Sequence, residues 1–172
     1  MEGVSCGQNN YCDVGGIVGW SEYKESAENE MISNCINKGD VISSYFRVGG
    51  IAGYSNQNFA NCENEGSVQG KGVVGGIVGW WAKSGSITKC KNSGDISGEA
   101  EIGGLVGGIS VQEMVQFMNS KNSGKVTGNE RVGGLVGASF ATIDEDLLYT
   151  CSNTGEIVCG GTKNEIYNKL NK

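Results

Sequence analysis

The chain has 172 residues, 30 of them glycine, with no proline and no histidine. That glycine share is more than twice the usual value of about 7%, yet without proline it excludes collagen, and 38% apolar content excludes wholesale disorder. A net charge of −6 with no Lys/Arg run excludes the basic face of a nucleic-acid binder and a polybasic membrane anchor, and no stretch of about 18 apolar residues is present to insert in a bilayer.

Residues 1–13 read as the remnant of a preceding coil. Glu2-Gly3-Val4-Ser5-Cys6-Gly7 loosely echoes Glu65-Gly66-Ser67-Val68-Gln69-Gly70, with one residue lost. Met1-Glu2-Gly3-Val4 has neither the basic region nor the apolar stretch of a signal peptide. The expectation is a fragment of a longer exported protein, with further repeats or domains in the parent chain.

The coil at 14–47 opens with Val14-Gly15-Gly16-Ile17-Val18-Gly19 and later carries Cys35-Ile36-Asn37-Lys38-Gly39-Asp40-Val41. The coil at 48–73 repeats both blocks, as Val48-Gly49-Gly50-Ile51-Ala52-Gly53 and Cys62-Glu63-Asn64-Glu65-Gly66-Ser67-Val68. They return in the coils at 74–101, 102–131 and 132–161, with the second block opening on Cys90, Ser120 and Cys151. From the Cys position to the next hexapeptide is 12 or 13 residues, whereas from hexapeptide to Cys position varies between 14 and 21. One arc of each coil therefore has fixed length and one loop absorbs insertions, as in a solenoid.

Each coil holds three short apolar segments: the hexapeptide, a segment ending at the Cys position (Ile32, Phe59, Ile87, Phe117, Leu148), and one centred on Val41, Val68, Ile96, Val126 or Ile157. No helical period runs through the fixed arcs. The predicted fold is all-β: a right-handed parallel β-solenoid, or β-helix, of about five coils with three short strands each. Gly39, Gly66, Gly94, Gly124 and Gly155 are expected to supply positive φ at a corner. Asn37, Asn64, Asn92, Asn122 and Asn153 are expected to stack there as an amide ladder. Cys35, Cys62, Cys90 and Cys151 form a second ladder, expected as buried free thiols, because stacked Cβ atoms at about 4.8 Å are too far apart for a relaxed disulfide. The pairing of Cys6, Cys12 and Cys159 is left open.

Five Val-Gly-Gly-Ile/Leu-Val-Gly cores in register with Asn-x-Gly elements resemble the GLUG motif of bacterial surface proteins, over about residues 14–160. GLUG repeats occur in large exported proteins, often of gut or mucosal bacteria, including the non-catalytic region of some IgA-specific metalloproteases. The resemblance implies an extracellular or cell-surface module acting as spacer, stalk or adhesion scaffold, with a host or cell-wall glycan or protein as partner.

Without histidine, His-Glu-x-x-His and the Ser-His-Asp and Cys-His pairs cannot occur. Asp40 and Asp95 recur at one coil position, but Ser67, Lys125 and Glu156 replace them elsewhere, so the position reads as a solvated strand site rather than a glycosidase pair. Gly15-Gly16-Ile17-Val18-Gly19 lacks the Gly-Lys-Ser/Thr ending of a phosphate loop. Arg47 and Arg131 each precede a hexapeptide with no acidic calcium-type cluster beside them. The reading is of no enzyme, no cofactor and no metal. The positions after the hexapeptide offer a ligand or partner surface at Trp20, Tyr54, Trp80 and Trp81, replaced by Gly108 and Ala138 further on. The alternative function is accordingly a carbohydrate-binding or carbohydrate-active β-helix using aromatics of the first three coils. The bland reading of those aromatics is cover for a strand buried on both faces. In the variable loops, 21–33 is polar and Glu-rich, while Ser110-Val111-Gln112-Glu113 predicts a short capped helix reaching Met118. Residues 162–172 are expected to cap the stack.

Overall fold

The computed structural model describes residues 12–22, 30–148 and 150–161. They form a parallel β-solenoid of five sheets with five strands each, every strand pairing with its counterpart one coil away. Along the first sheet Val14, Val48, Val74, Ile102 and Val132 stand in one register column. Within the second coil the strands are Arg47–Gly49, Ala52–Ser55, Asn58–Ala60, Glu63–Asn64 and Val68–Gln69.

The coil thus has five strands where three were expected. The hexapeptide is the main cause: it bends in its middle and serves two sheets. A Cβ on Gly49 would lie 2.0 Å from the Ala52 carbonyl oxygen, so only glycine allows the chain to fold back there. Ile51 and Ala52 then both donate to Ile77 of the next coil, at 3.0 Å each.

The two other glycines of the hexapeptide answer to different neighbours. On Gly53, a Cβ would meet the backbone of Val14 and Asp13 within 2.6 Å, so the first and second sheets press together backbone to backbone. On Gly50 it would meet Asn64 Cγ at 2.4 Å and the Gly76 oxygen at 2.2 Å. The second glycine and the asparagine therefore touch across the interior, and they divide it into two apolar lobes. The larger holds Ile51, Phe59, Cys62, Ile77, Trp81 and Phe117 among others. The smaller is Val41, Val48, Val68, Val74, Ile96, Ile102, Val126 and Val132.

Two further expectations are corrected. No glycine among the described residues has positive φ. The left-handed residues are Asn34, Asn61, Lys89 and Asn119, each directly before the Cys position, together with Arg131. Asparagine tolerates that conformation because its side chain bonds locally. Glycines 66, 94, 124 and 155 are needed for closeness instead: a Cβ on Gly94 would sit 1.8 Å from the Gly66 oxygen of the neighbouring coil. The predicted helix before Met118 is a strand, Met114–Met118, in which Val115 and Phe117 alternate inward with exposed or half-buried neighbours. A helical turn occurs instead at Glu145–Leu148, which we call α1. Asp144 caps it through Oδ1 to Leu147 N at 3.3 Å, and it buries Leu148 in the larger lobe. The expected cap at 162–172, the loop at 23–29 and the remnant at 1–11 lie outside the described residues.

Candidate functional site

Most recurring polar residues hold coil to coil. Asn37, Asn64, Asn92, Asn122 and Asn153 are all buried and form a continuous amide column. Nδ2 of Asn37, Asn64, Asn92 and Asn122 each donates to the Oδ1 of the next coil's asparagine at 2.7–2.8 Å. The second Nδ2 hydrogen closes a local turn onto the carbonyl two residues on, at 2.7–2.9 Å. The carbonyls so occupied belong to Gly39, Gly66, Gly94, Gly124 and Gly155, which explains why Asn-x-Gly travels as a unit.

Cys35, Cys62, Cys90 and Cys151 are free thiols, and the last three are buried as expected, whereas Cys35 is only half-buried. Cys35, Cys62 and Cys90 each point the sulfur at the carbonyl two residues earlier, 3.4–3.5 Å away. Ser120 makes the same bond from Oγ to Met118 O at 3.0 Å, so the hydroxyl replaces the thiol without loss of the contact. Burial pushes the Cys35 and Cys151 thiols up. Between Cys62 and Cys90 a shared hydrogen bond favours the thiolate at Cys62 and, with burial, disfavours it at Cys90. Cys12 is disulfide-bonded, and Cys159 is free and half-buried. Among the described residues no group of three or more His, Cys, Asp or Glu side chains is placed to hold a metal. No helix there is long and apolar enough to cross a membrane.

The Asp40 position braces adjacent coils from outside. Asp40 Oδ1 accepts from Ser67 N at 2.9 Å and Ser67 Oγ at 2.7 Å, and these bonds hold its carboxyl below the usual range. Asp95 Oδ1 accepts from Lys125 N at 2.9 Å, and Lys125 pairs with Glu156 at 3.0 Å.

Outward apolar residues that do not recur occur on several sheets, as at Ile42 and Met114, but the outward aromatics in register lie on the second sheet. Trp20, Tyr54 and Trp80 stand in one register column of the second sheet, continued by Gly108 and Ala138. Trp20 is 57% exposed and Tyr54 and Trp80 are half-buried. The Trp20 and Tyr54 rings are 6.2 Å apart, and the Arg47 guanidinium lies 5.1 Å from the Tyr54 ring centre. Trp81 does not belong to this surface. Neighbouring strand residues face opposite ways, so Trp81 points inward. It is fully buried, donates Nε1 to Gln57 O at 2.8 Å and meets Phe117 edge-on at 6.0 Å.

Beside the aromatics runs a column on the first sheet that is charged on both sides of Val73, and that the sequence alone did not connect to them. Arg47 Nε pairs with Asp13 Oδ1 at 2.7 Å, and Arg131 Nη2 with Glu101 Oε1 at 2.9 Å. The other oxygen, Glu101 Oε2, is buried without a hydrogen-bond partner. A Cβ on Gly108 would lie 2.8 Å from both that oxygen and the Trp80 ring, so carboxylate and indole together fill the space that a side chain at Gly108 would occupy. Phe46, Arg47, Val73 and Trp80 line an open cleft of about 350 Å³. The detectable signal in the sequence was the recurrence of Asp13, Arg47, Glu101 and Arg131 directly before hexapeptides.

Burial pushes the Asp13 and Glu101 carboxyls up, against the pull of Arg47 and Arg131. A carboxyl whose pKa is higher folded than unfolded binds its proton more tightly in the folded state. Its stabilising contribution is complete below the unfolded value, about 4, and fades as pH rises through the folded one. Melting temperature measured from pH 7 down to pH 4.5 should therefore fall less steeply, or rise more, in the native chain than in Glu101→Gln. A Glu101→Gln profile parallel to the native one would show that this carboxyl is not perturbed.

No protein-family model, no curated protein and no solved structure matches the chain.

Proposed function

We propose that this chain is a non-enzymatic repeat module of a bacterial surface protein, serving as a stalk or adhesion scaffold that presents its outer faces at fixed spacing. The observation that carries this reading is the unbroken amide column, which joins all five coils along the solenoid axis. The outer braces at Asp40–Ser67 and Asp95–Lys125 act along the same axis. Recurring polar groups thus serve cohesion between coils, as a spacer under load requires. The resemblance of the hexapeptide and Asn-x-Gly blocks to GLUG repeats supports a location outside the cell.

Two measurements test it. The purified 172-residue chain, incubated with mucin glycans, pectin-like polymers or immunoglobulin, is expected to yield no cleavage products by chromatography. Turnover of any of them overturns the reading. Antibodies raised against the chain should label intact producing cells, and labelling only after lysis overturns the surface assignment.

A further inference from the structure

We propose that the Trp20–Tyr54–Trp80 column binds a neutral, extended polysaccharide of equatorially linked pyranoses, laid along the solenoid axis with one sugar ring per coil. The proposal rests on the reading of the chain as a presenting module and gives the presented face a ligand.

Spacing is the first argument. The three aromatics are in strict register on neighbouring parallel strands, so their backbones recur every coil at about 4.8 Å, and the Trp20 and Tyr54 ring centres stand 6.2 Å apart. The two spacings bracket the length of one pyranose in a fully extended chain. A pyranose with equatorial substituents offers flat C–H faces for rings to stack on, and its hydroxyls point outward around the rim. Axially linked glucans curve away from a straight column and lose the match after one unit.

The rim is the second argument. Hydroxyls need acceptors and donors beside the platform, and each end of the column has both. Asp13 and Arg47 pair at the Trp20–Tyr54 end, and Glu101 and Arg131 at the Trp80 end. The unpartnered Glu101 Oε2 lies against the same space as the Trp80 ring, over a glycine. A sugar hydroxyl donating to this oxygen when the indole tilts to stack would satisfy it. A buried carboxylate oxygen without a donor is otherwise costly to keep.

Charge is the third argument. Although the chain carries −6 overall, each carboxylate of this column is paired with a guanidinium. Glu22 beside Tyr54 and Lys71 over the Phe46 ring add one charge of each sign, so the face stays locally balanced and gives no attraction to a uronate polymer or to a basic peptide. The cleft of about 350 Å³ bounded by Phe46, Arg47, Val73 and Trp80 leaves room beside the platform for a ring or branch held side-on.

The test is calorimetric titration of the full chain with cellohexaose, xylohexaose and mannohexaose, with maltohexaose and glucose as controls. At least one of the three equatorially linked hexamers is expected to bind with Kd below about 1 mM, and glucose at least about tenfold more weakly. Trp20→Ala and Trp80→Ala should each weaken the bound hexamer by about tenfold or more, a loss typical of one stacking ring. Phe140→Ala, at an exposed aromatic outside this column, should leave affinity unchanged. Circular dichroism of each variant confirms that it is folded, and the strongly exposed Trp20 provides a variant with little effect on the core. Failure of all three hexamers to bind overturns the proposal. So does equal binding of maltohexaose or glucose, unchanged affinity in folded Trp20→Ala, or binding of a proline-rich peptide in place of the sugars. Cleavage of a bound hexamer, by contrast, would overturn the non-enzymatic reading while leaving this ligand assignment standing.

Discussion

Asn92→Ala is expected to destabilise the solenoid by about 3–5 kcal/mol, because it leaves several buried groups without partners at once. The Asn92 side chain is 1% exposed. It accepts from Asn64 Nδ2 at 2.7 Å, donates to Asn122 Oδ1 at 2.7 Å and donates to Gly94 O at 2.8 Å. Alanine removes all three bonds and supplies no substitute, and water has no room where Gly76 presses on the amide. The column also predicts a gradient. Asn37 has an amide neighbour on one side among the described residues, and it is 7% exposed. Asn37→Ala should therefore cost visibly less than Asn92→Ala. Lys91→Ala, at the exposed position next door, should fall within about 0.5 kcal/mol of the native chain. Urea denaturation followed by circular dichroism measures all three. Equal costs at Asn37 and Asn92 would mean that the amides act singly rather than as a ladder.

The repeat, the coil count and the two columns were legible in the sequence because they are carried by identical residues at matched offsets. Strand count was less so. Strands of two or three residues, such as Ile36–Asn37 and Glu63–Asn64, are too short to establish a period, and the bend inside the hexapeptide leaves no polar or proline signal. The glycines misled for a different reason. Their need is steric, and the atoms that impose it belong to another arc or another coil, so a local reading assigns them a torsional role they do not have. Trp81 could have been placed correctly. Trp80 aligns with Tyr54, so Trp81 aligns with Ser55, and alternation turns that position inward. Likewise Val115 and Phe117, two apart, already carry the period of a strand, which the capping signal at Ser110 obscured. The Glu101 carboxylate against Trp80 was not legible at all, since it depends on how neighbouring sheets pack.

Gly76→Ala should be at least as damaging as the loss of an amide, at about 3 kcal/mol or more, although it adds a single methyl group. A Cβ there would lie 2.2 Å from the Gly104 oxygen and 2.5 Å from Asn92 Cγ. Neither neighbour can yield cheaply. The first is backbone in a paired coil, and the second is held by three hydrogen bonds. The cost is steric rather than torsional, since no described glycine has positive φ. Gly39→Ala distinguishes the two causes. The nearest atom to a Cβ at Gly39 is Asn37 Oδ1 at 3.9 Å, so that substitution should be neutral or stabilise by up to about 1 kcal/mol through the unfolded state. The coupling can be measured directly. In the double variant Gly76→Ala/Asn92→Ala the methyl group no longer meets the amide, but it still meets the Gly104 oxygen. The combined loss should therefore fall short of the sum of the single losses by about 1–2 kcal/mol without returning to the Asn92→Ala value. Strict additivity would mean that the waist of the solenoid relaxes around the new methyl group, and that Gly76 and Asn92 do not share one packed contact.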